Sequence, residues 1–372
     1  MIYLDNAATT FPKPRSVTEE LIRCVRTYCG NPARSSHRLS LRASEQIYSV
    51  RERISEHFRT GAPERVVFTY NATYALNLAI KTFVREPCHL ILSDLEHNAV
   101  MRPIHRLCKE LGVEYSLFNS DLPTEKAIEE CIRPDTKGIV STLQSNVTGK
   151  VIPLAELAGA AKKHGLFLIA DASQAAGHIS LDLTESPCDA LCAPGHKGMF
   201  GIQGCGFAIF RDDKRKCSFI EGGSGSDSKN PEMPLLLPEG YEAGTLATPA
   251  IVTLGRGLQY VEERGIADVE RYVCELTDVF SERLLAIEGV KLIAAQNGII
   301  SFTYKDISSS FMAGELDRRG ICVRGGLHCA PSAHEKLGTL DGGAVRISLS
   351  IMNKERDADG LYRAMKDISR CI

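Results

Sequence analysis

From about residue 15 to 250, amphipathic stretches alternate with short apolar runs rich in β-branched residues. That alternation predicts a mostly parallel sheet covered by helices. The first helix is expected to start at Ser16-Val-Thr-Glu19, a capping-box sequence in which serine oxygen and glutamate carboxylate each satisfy a free backbone N–H. Val17, Leu21, Val25 and Tyr28 follow at helical spacing, and Gly30 offers a stop. Seven strands are predicted at 65–69, 89–93, 114–118, 138–142, 166–170, 190–193 and 206–210. The stretch 221–238, rich in Gly, Ser, Asp and Pro and without periodicity, reads as a long irregular loop of the kind that often carries function. Beyond Pro249 two longer helical patterns, 251–264 and 268–287, precede strands near 298–304, 320–324 and 344–350 and a last helix from Asn353. The expected organisation is a large α/β domain over 15–250, with 1–14 and 251–372 forming a smaller α+β domain.

Composition narrows the partners. A length of 372 residues fits two or three domains, and 44% hydrophobic residues is typical of packed globular chains. A formal charge of −2 leaves no basic field to hold a polyanion, and the densest basic run is only the short 211–216 segment, which argues against nucleic acid and anionic membrane. No apolar stretch has the length of a membrane span, and the residues from Met1 to Thr10 lack the pattern of a signal peptide, so a cytoplasmic location is expected. The 13 cysteines are odd in number and scattered, without a C-x-x-C pair, which speaks against both a disulfide framework and a zinc cassette; no metal is expected. Most read as small buried hydrophobes.

Four anchors suggest chemistry. The apolar run from Leu166 ends at Asp171, and strand ends of α/β sheets open on the ligand crevice, although such an aspartate is often only a cap. Pro194-Gly-His-Lys197-Gly sets a lysine in a glycine-rich turn that a flat ligand can approach, where a solvated surface charge is the ordinary alternative. A lysine that forms a Schiff base and an aspartate that keeps a pyridinium nitrogen protonated are the two groups pyridoxal phosphate needs as an electron sink. Phe68-Thr-Tyr-Asn-Ala72-Thr73 reads as a strand, a small-residue turn and a helix start able to hold a phosphate, or as a plain βα turn. His97, just past a strand, could stack on a planar ring or be structural.

Together with further motifs these residues carry a family resemblance. Tyr3-Leu-Asp-Asn-Ala-Ala-Thr9, Asn31-Pro-Ala-Arg-Ser-Ser-His37, Ala72-Thr73, Glu96-His97, Ser145-Asn146-Val-Thr-Gly149, Asp171-Ala-Ser-Gln174, Gly195-His-Lys197, Glu242-Ala-Gly-Thr245, Arg324-Gly-Gly-Leu-His-Cys329-Ala and Val345-Arg346-Ile-Ser348 run almost end to end. The chain resembles the cysteine desulfurase and selenocysteine lyase group of class V aminotransferases, within the fold-type I pyridoxal-phosphate enzymes. The resemblance implies an α/β fold with a mixed, mostly parallel seven-stranded sheet in the large domain. It implies that Lys197 binds the cofactor covalently, Asp171 pairs with the ring nitrogen, Gln174 bonds the ring hydroxyl and His97 stacks on the ring. Ala72, Thr73 and His196 would lie at the phosphate, and Thr245 would reach the phosphate of a partner subunit, so a homodimer is expected. Asn146 and Arg346 would hold the substrate carboxylate, with Arg324 lining the site.

Cys329 separates desulfurases from plain aminotransferases. It follows Arg324-Gly-Gly and adjoins His328, in a loosened loop near cationic groups that favour a thiolate. By resemblance, Cys329 would take sulfur from L-cysteine as a persulfide, release alanine and pass the sulfur to an acceptor protein. Selenocysteine lyase, cysteine sulfinate desulfinase and a class V enzyme without a catalytic thiol are the alternatives, and a scaffold without chemistry is disfavoured by Lys197 and Asp171. The chain departs from many relatives in having Pro194-Gly195 where a hydroxyl precedes the His-Lys pair, Gly201-Ile-Gln-Gly where Gly-Pro is frequent, and Leu327 where a second histidine is common. The loop otherwise resembles the short, ordered cysteine-loop type.

Overall fold

The computed structural model describes residues 1–32, 36–212, 220–225, 229–234 and 236–371. Residues 33–35 of the Asn31 to His37 motif, 213–216 of the basic run, and 226–228 and 235 of the expected loop lie outside the described residues. After β1 (Ile2–Tyr3), the chain alternates α1 (Arg15–Thr27), α2 (Arg38–His57), β2 (Val66–Thr69), α3 (Ala72–Phe83), β3 (His89–Ser93), α4 (Asn98–Leu111), β4 (Glu114–Phe118), α5 (Thr124–Glu129), β5 (Thr136–Thr142), α6 (Leu154–His164), β6 (Phe167–Asp171), β7 (Ala190–Pro194) and β8 (Gly206–Phe210). The seven predicted strands all form and join one sheet in the order β2-β8-β7-β6-β5-β3-β4. Only β8 runs antiparallel, to β2 on one side and β7 on the other. The sheet is therefore mixed and mostly parallel, as the resemblance implied.

Side chains alternate across this sheet. Val66, Phe68, Leu168, Ala170, Leu191 and Ala193 feed one buried cluster, while Val67, Phe167, Ile169, Ala190 and Cys192 feed another on the opposite face. Both faces are covered, so the strands read as continuous apolar runs rather than as alternating ones. Ile251, Leu254 and Leu258 of α7 (Thr248–Glu262) join the first cluster. A third cluster gathers Leu4, residues of α8 (Ile266–Leu285), and an antiparallel sheet of β9 (Val290–Gln296), β10 (Ile299–Tyr304), β12 (Arg324–Gly326) and β13 (Ala344–Ser348) in the order β12-β13-β10-β9. The α9 helix (Ser309–Asp317), β11 (Ile321–Cys322), α10 (Pro331–Lys336) and α11 (Glu355–Cys371) complete the fold, with β1 pairing in parallel with β11. No helix among the described residues is long and apolar enough to cross a membrane.

Two local expectations give way, and one strand is unexpected. The capping box at Ser16 does not form, because Pro14 is the N-cap and Ser16 already lies inside the helix; the Glu19 carboxylate accepts instead from Arg15 Nε at 2.6 Å. The buried face of α1 runs through Val17, Cys24 and Tyr28, leaving Ile22 and Val25 exposed, since packing against α7 sets the inward side. The β9 strand is not predicted because Val290-Lys-Leu-Ile-Ala-Ala-Gln296 does not alternate, and its residues are mostly half-buried.

A buried ion pair ties the sheet edge to the Glu242 turn. Arg51 Nη1 and Nη2 donate to Glu242 Oε1 and Oε2, both at 2.9 Å, and Phe68 N donates to Glu242 Oε1 at 2.6 Å. Both side chains are almost fully buried. Removing the carboxylate leaves the guanidinium uncompensated, so Glu242→Ala is expected to cost about 3–5 kcal/mol in chemical denaturation. A loss below about 1 kcal/mol would mean that the pair is not isolated from solvent.

Candidate active site

Because β2, β3, β5, β6 and β7 run parallel to one another, their C-terminal ends open on one edge of the sheet, the position where α/β folds bind ligands. A cavity of about 510 Å³ lies there. Eight of the predicted residues line it: Ala72, Thr73, His97, Asn146, Asp171, Gln174, His196 and Lys197.

Each reaches the cavity by a short route from its strand. Asp171 is the last residue of β6, and its Oδ1 accepts from Ser173 N at 2.9 Å. Gln174 donates from Nε2 to the Ala7 carbonyl at 3.1 Å, which brings the N-terminal segment against the site. Lys197 follows β7 in a turn where Gly198 is required: a Cβ there would stand 2.3 Å from the Ala176 carbonyl oxygen. Ala72 and Thr73 open α3, whose N-cap Asn71 accepts from Tyr74 N at 3.1 Å, so the first N–H groups of the helix remain available to an anion. Gly206 of β8 lets that turn approach, since a Cβ would meet the Asn71 carbonyl carbon at 2.5 Å. His97 caps α4, its Nδ1 accepting from Ala99 N at 3.0 Å, which leaves the ring hydrogen on Nε2.

Burial tunes the charges. It brings Lys197 down to about 8; Arg346 and Arg324 add to that effect and the Asp171 carboxylate opposes it. Asp171 is pushed up by burial, against the Ser173 hydrogen bond and the lysine. Burial takes His97 and His196 down to about 4, with Lys197 as the next cause for both, so both imidazoles are neutral at pH 7.

The remaining four residues divide. Arg346, 1% exposed, donates from Nη1 to the Asn146 carbonyl at 3.1 Å and from Nη2 to Asp5 Oδ1 at 2.8 Å. Cys329 is exposed and, like Arg346 and Arg324, does not itself line the cavity; its carbonyl accepts at 2.7 Å from Asn98 N, between the lining residues His97 and Ala99. Arg324 Nη2 stands 3.6 Å from Cys329 Sγ. Thr245 is not brought into the Lys197 cavity; it lines a neighbouring one of about 620 Å³ with Thr69, Tyr70 and Tyr74, on the other flank of the same βα turn.

The sequence motifs give no role to three residues that the fold brings to this site. Asp5 is the carboxylate partner of Arg346. Glu96 is fully buried, accepts from Thr142 N at 2.7 Å and from Ser93 Oγ, and is pushed up to about 8 by burial, so it fastens the ends of β3 and β5 as a neutral acid. Lys13 donates to Thr10 Oγ1 and to the His196 carbonyl, both at 2.8 Å, and burial lowers it to about 8. Asp5 and Glu96 stand inside motifs of the resemblance, whereas nothing local marks Lys13.

The family profile described as Aminotransferase class-V matches residues 2–361. The chain belongs to the class V aminotransferase family. Among members with similar sequences is a probable cysteine desulfurase of Aeropyrum pernix, 31% identical over 99% of this chain and 94% of that protein. A probable cysteine desulfurase of Halalkalibacterium halodurans is 29% identical over 98% of this chain and 92% of its own length. The apo structure of a cysteine desulfurase from Thermococcus onnurineus NA1 superposes with a TM-score of 0.89 at 27% identity, covering 100% of this chain and 95% of that one. Membership in the class V aminotransferase family thus extends over both the Lys197 cavity and the Cys329 loop.

The cavity suits the cofactor this family implies. His196 Nδ1 is buried with no hydrogen-bond partner among the described residues, and His196 lines the same cavity as Ala72 and Thr73, the first residues of α3. The neutral His97 ring, the Asp171 carboxylate and the Lys197 amine supply a stacking face, an anion for a pyridinium and a nucleophile for an aldehyde.

Proposed function

We propose that this chain is a pyridoxal-phosphate-dependent cysteine desulfurase that converts L-cysteine to L-alanine and takes the sulfur onto Cys329. The observation that carries the reading is the placing of an exposed thiol 3.6 Å from the Arg324 guanidinium, on a loop bonded to the residue after His97. Its exposure leaves that thiol open both to a substrate sulfur and to an acceptor thiol.

Residues of the 15–250 unit would hold the cofactor: Lys197 covalently, Asp171 at the ring nitrogen, Gln174 at the ring hydroxyl, His97 on the ring face, and Ala72, Thr73 and His196 at the phosphate. When bound, the cofactor supplies a sink for the electron pair left at the substrate Cα. Arg346 and Asn146 hold the substrate carboxylate, and Asp5 keeps the arginine fork in place. Lys197, lowered by burial toward neutral pH, takes the Cα proton and returns a proton as alanine forms. The Cys329 thiolate attacks the substrate sulfur, and the new S–S bond forms as the C–S bond breaks. The C–S electron pair stays on the substrate Cβ, which takes a proton to become the methyl of alanine. The persulfide then passes its outer sulfur to an acceptor thiol. The segment 1–14 with 251–372 brings the cysteine loop to the cofactor unit. Thr245, which lies outside the Lys197 cavity of its own chain, completes the site of a second copy, so the working form is a homodimer. A thiol cycle of this kind needs a reducing compartment, which the cytoplasm provides.

Selenocysteine and cysteine sulfinate differ from cysteine only in the group on Cβ. Incubation with all three, reading alanine release and the mass of the Cys329 peptide, tests reaction, substrate and nucleophile together. Alanine formed from L-cysteine without added mass on Cys329 would sink the sulfur-transfer reading.

The buried lysine also sets a pH dependence. In cofactor-free protein the Lys197 ammonium loses its proton around pH 8, so the rate of cofactor uptake is expected to rise through that pH and then level off. Asp171 holds that proton on, so Asp171→Asn should move the midpoint lower. Uptake that is flat from pH 6 to 9, followed by absorbance, would contradict a buried amine as the reacting group.

A further inference from the structure

The cysteine loop is backed by two imidazoles that the proposed reaction does not use. His328 and His334 are 2% and 0% exposed, and their ring planes are 25° apart with centroids separated by 5.3 Å. His328 Nε2 lies 3.2 Å from the Arg324 carbonyl oxygen, and His328 Nδ1 lies 3.1 Å from His334 Nε2. His334 Nδ1 in turn lies 2.8 Å from Thr339 Oγ1. The hydrogen positions follow from one end of this chain. A carbonyl only accepts, so His328 carries its hydrogen on Nε2 and offers the Nδ1 lone pair. His334 must then donate from Nε2, which leaves its Nδ1 to accept the Thr339 hydroxyl. Each ring holds one hydrogen, and a second proton on His328 would set N–H against N–H. Burial drives both rings below the ordinary imidazole range, His328 to about 3, consistent with a neutral pair.

The backbone shows what the chain restrains. His328 and Cys329 both sit in the left-handed region, at φ 51° and 57°, a conformation two successive non-glycine residues keep only when their surroundings hold them there. On the cavity side the restraints are Asn146 Nδ2, which donates to the His328 carbonyl at 2.8 Å, and Asn98 N, which donates to the Cys329 carbonyl. Behind the loop the restraint is the His328 ring. It is anchored through His334 to α10, which Lys336 Nζ ties to Asp94 at 2.7 Å and Asp121 at 2.9 Å.

We propose that the His328–His334–Thr339 chain is a positioning device for Cys329: it locks the residue before the thiol onto the Arg324 carbonyl and so keeps Sγ beside the Arg324 guanidinium. The inference rests on the reading of Cys329 as the sulfur-accepting thiol. Both rings are buried behind the loop, whereas the Cys329 thiol is exposed, so the two histidines act through the loop and not on the substrate.

The test uses cofactor-loaded protein, with iodoacetamide alkylation of Cys329 followed by peptide mass and alanine release measured in parallel. His334→Leu, which removes the donor to His328, is expected to slow both Cys329 alkylation and kcat about tenfold, with KM for cysteine changed by less than about twofold. His334→Gln places an amide N–H where His334 Nε2–H stands and should recover most of both rates. Thr339→Val, which only unties the far end, should shift both in the same direction by less. Wild-type alkylation in folded His334→Leu, or a glutamine variant as slow as the leucine one, overturns the proposal. Should the leucine variant fail to fold, wild-type alkylation in Thr339→Val does the same. The underlying reading fails separately: Cys329→Ala that still makes alanine from cysteine removes the sulfur role and leaves the alkylation comparison untouched.

Discussion

Cys329→Ala is expected to lower alanine formation from L-cysteine by at least about a hundredfold while leaving the cofactor in place. The loss follows from the proposed division of labour: residues of the cavity hold cofactor and substrate, and only the thiol accepts sulfur. The residue is exposed, so its truncation should change global stability by no more than about 0.5 kcal/mol. Absorbance at about 420 nm, the region of any pyridoxal Schiff base, should persist in the variant. Undiminished turnover would place the chain among class V enzymes that need no catalytic thiol. Cysteine sulfinate offers a second arm, because its sulfur leaves without a nucleophile. A variant inactive on cysteine and active on sulfinate would isolate the thiol as the missing part.

Lys197→Ala is expected to have the larger effect, a loss of at least about a thousandfold in turnover together with the absorbance band. One amine both attaches the cofactor and moves the Cα proton, so a single substitution removes two contributions. Its burial, which lowers the ammonium to about 8, is what makes a lysine serviceable as a base near neutral pH. Retention of the band in that variant, with equal cofactor bound, would show that another amine carries the attachment.

Much of this site is legible in the amino-acid sequence alone. Asp171 and Lys197 stand at ends of apolar runs that a parallel sheet must bury, and the C-terminal ends of such strands open on one edge, so two strand patterns suffice to place two groups together. His97 and Thr73 follow from the same rule on other strands of the sheet. The local signals that fail are those in which neighbours compete for one job. Ser16 has a capping sequence, yet Pro14 starts the helix earlier and leaves the serine inside it. Val25 keeps helical spacing, yet α7 packs on the side of Cys24 and Tyr28. Strand β9 lacks alternation because it is only partly covered.

Contacts between distant segments are beyond the sequence. Asp5 meets Arg346 across 341 positions, and Lys13 reaches the His196 carbonyl across 183. No periodicity encodes such pairs, because each arises where the N-terminal strand returns to the rim of the cavity. The separation of Thr245 from the Lys197 cavity is of the same kind: the motif marks the residue, and its place on the other flank of the turn appears only when β2, α3 and the Glu242 turn are packed.

By itself, then, the sequence determined the seven strands of the large sheet, its mostly parallel character and the chemical types gathered at its edge, because these depend on local pattern and on the rule that parallel strands end together. Tertiary structure alone decided the protonation of His97, His196, Glu96 and Lys197, since burial is a property of the packed site. It also decided the left-handed cysteine loop and the imidazole chain behind it, which depend on a carbonyl, two rings and a hydroxyl that meet only after folding.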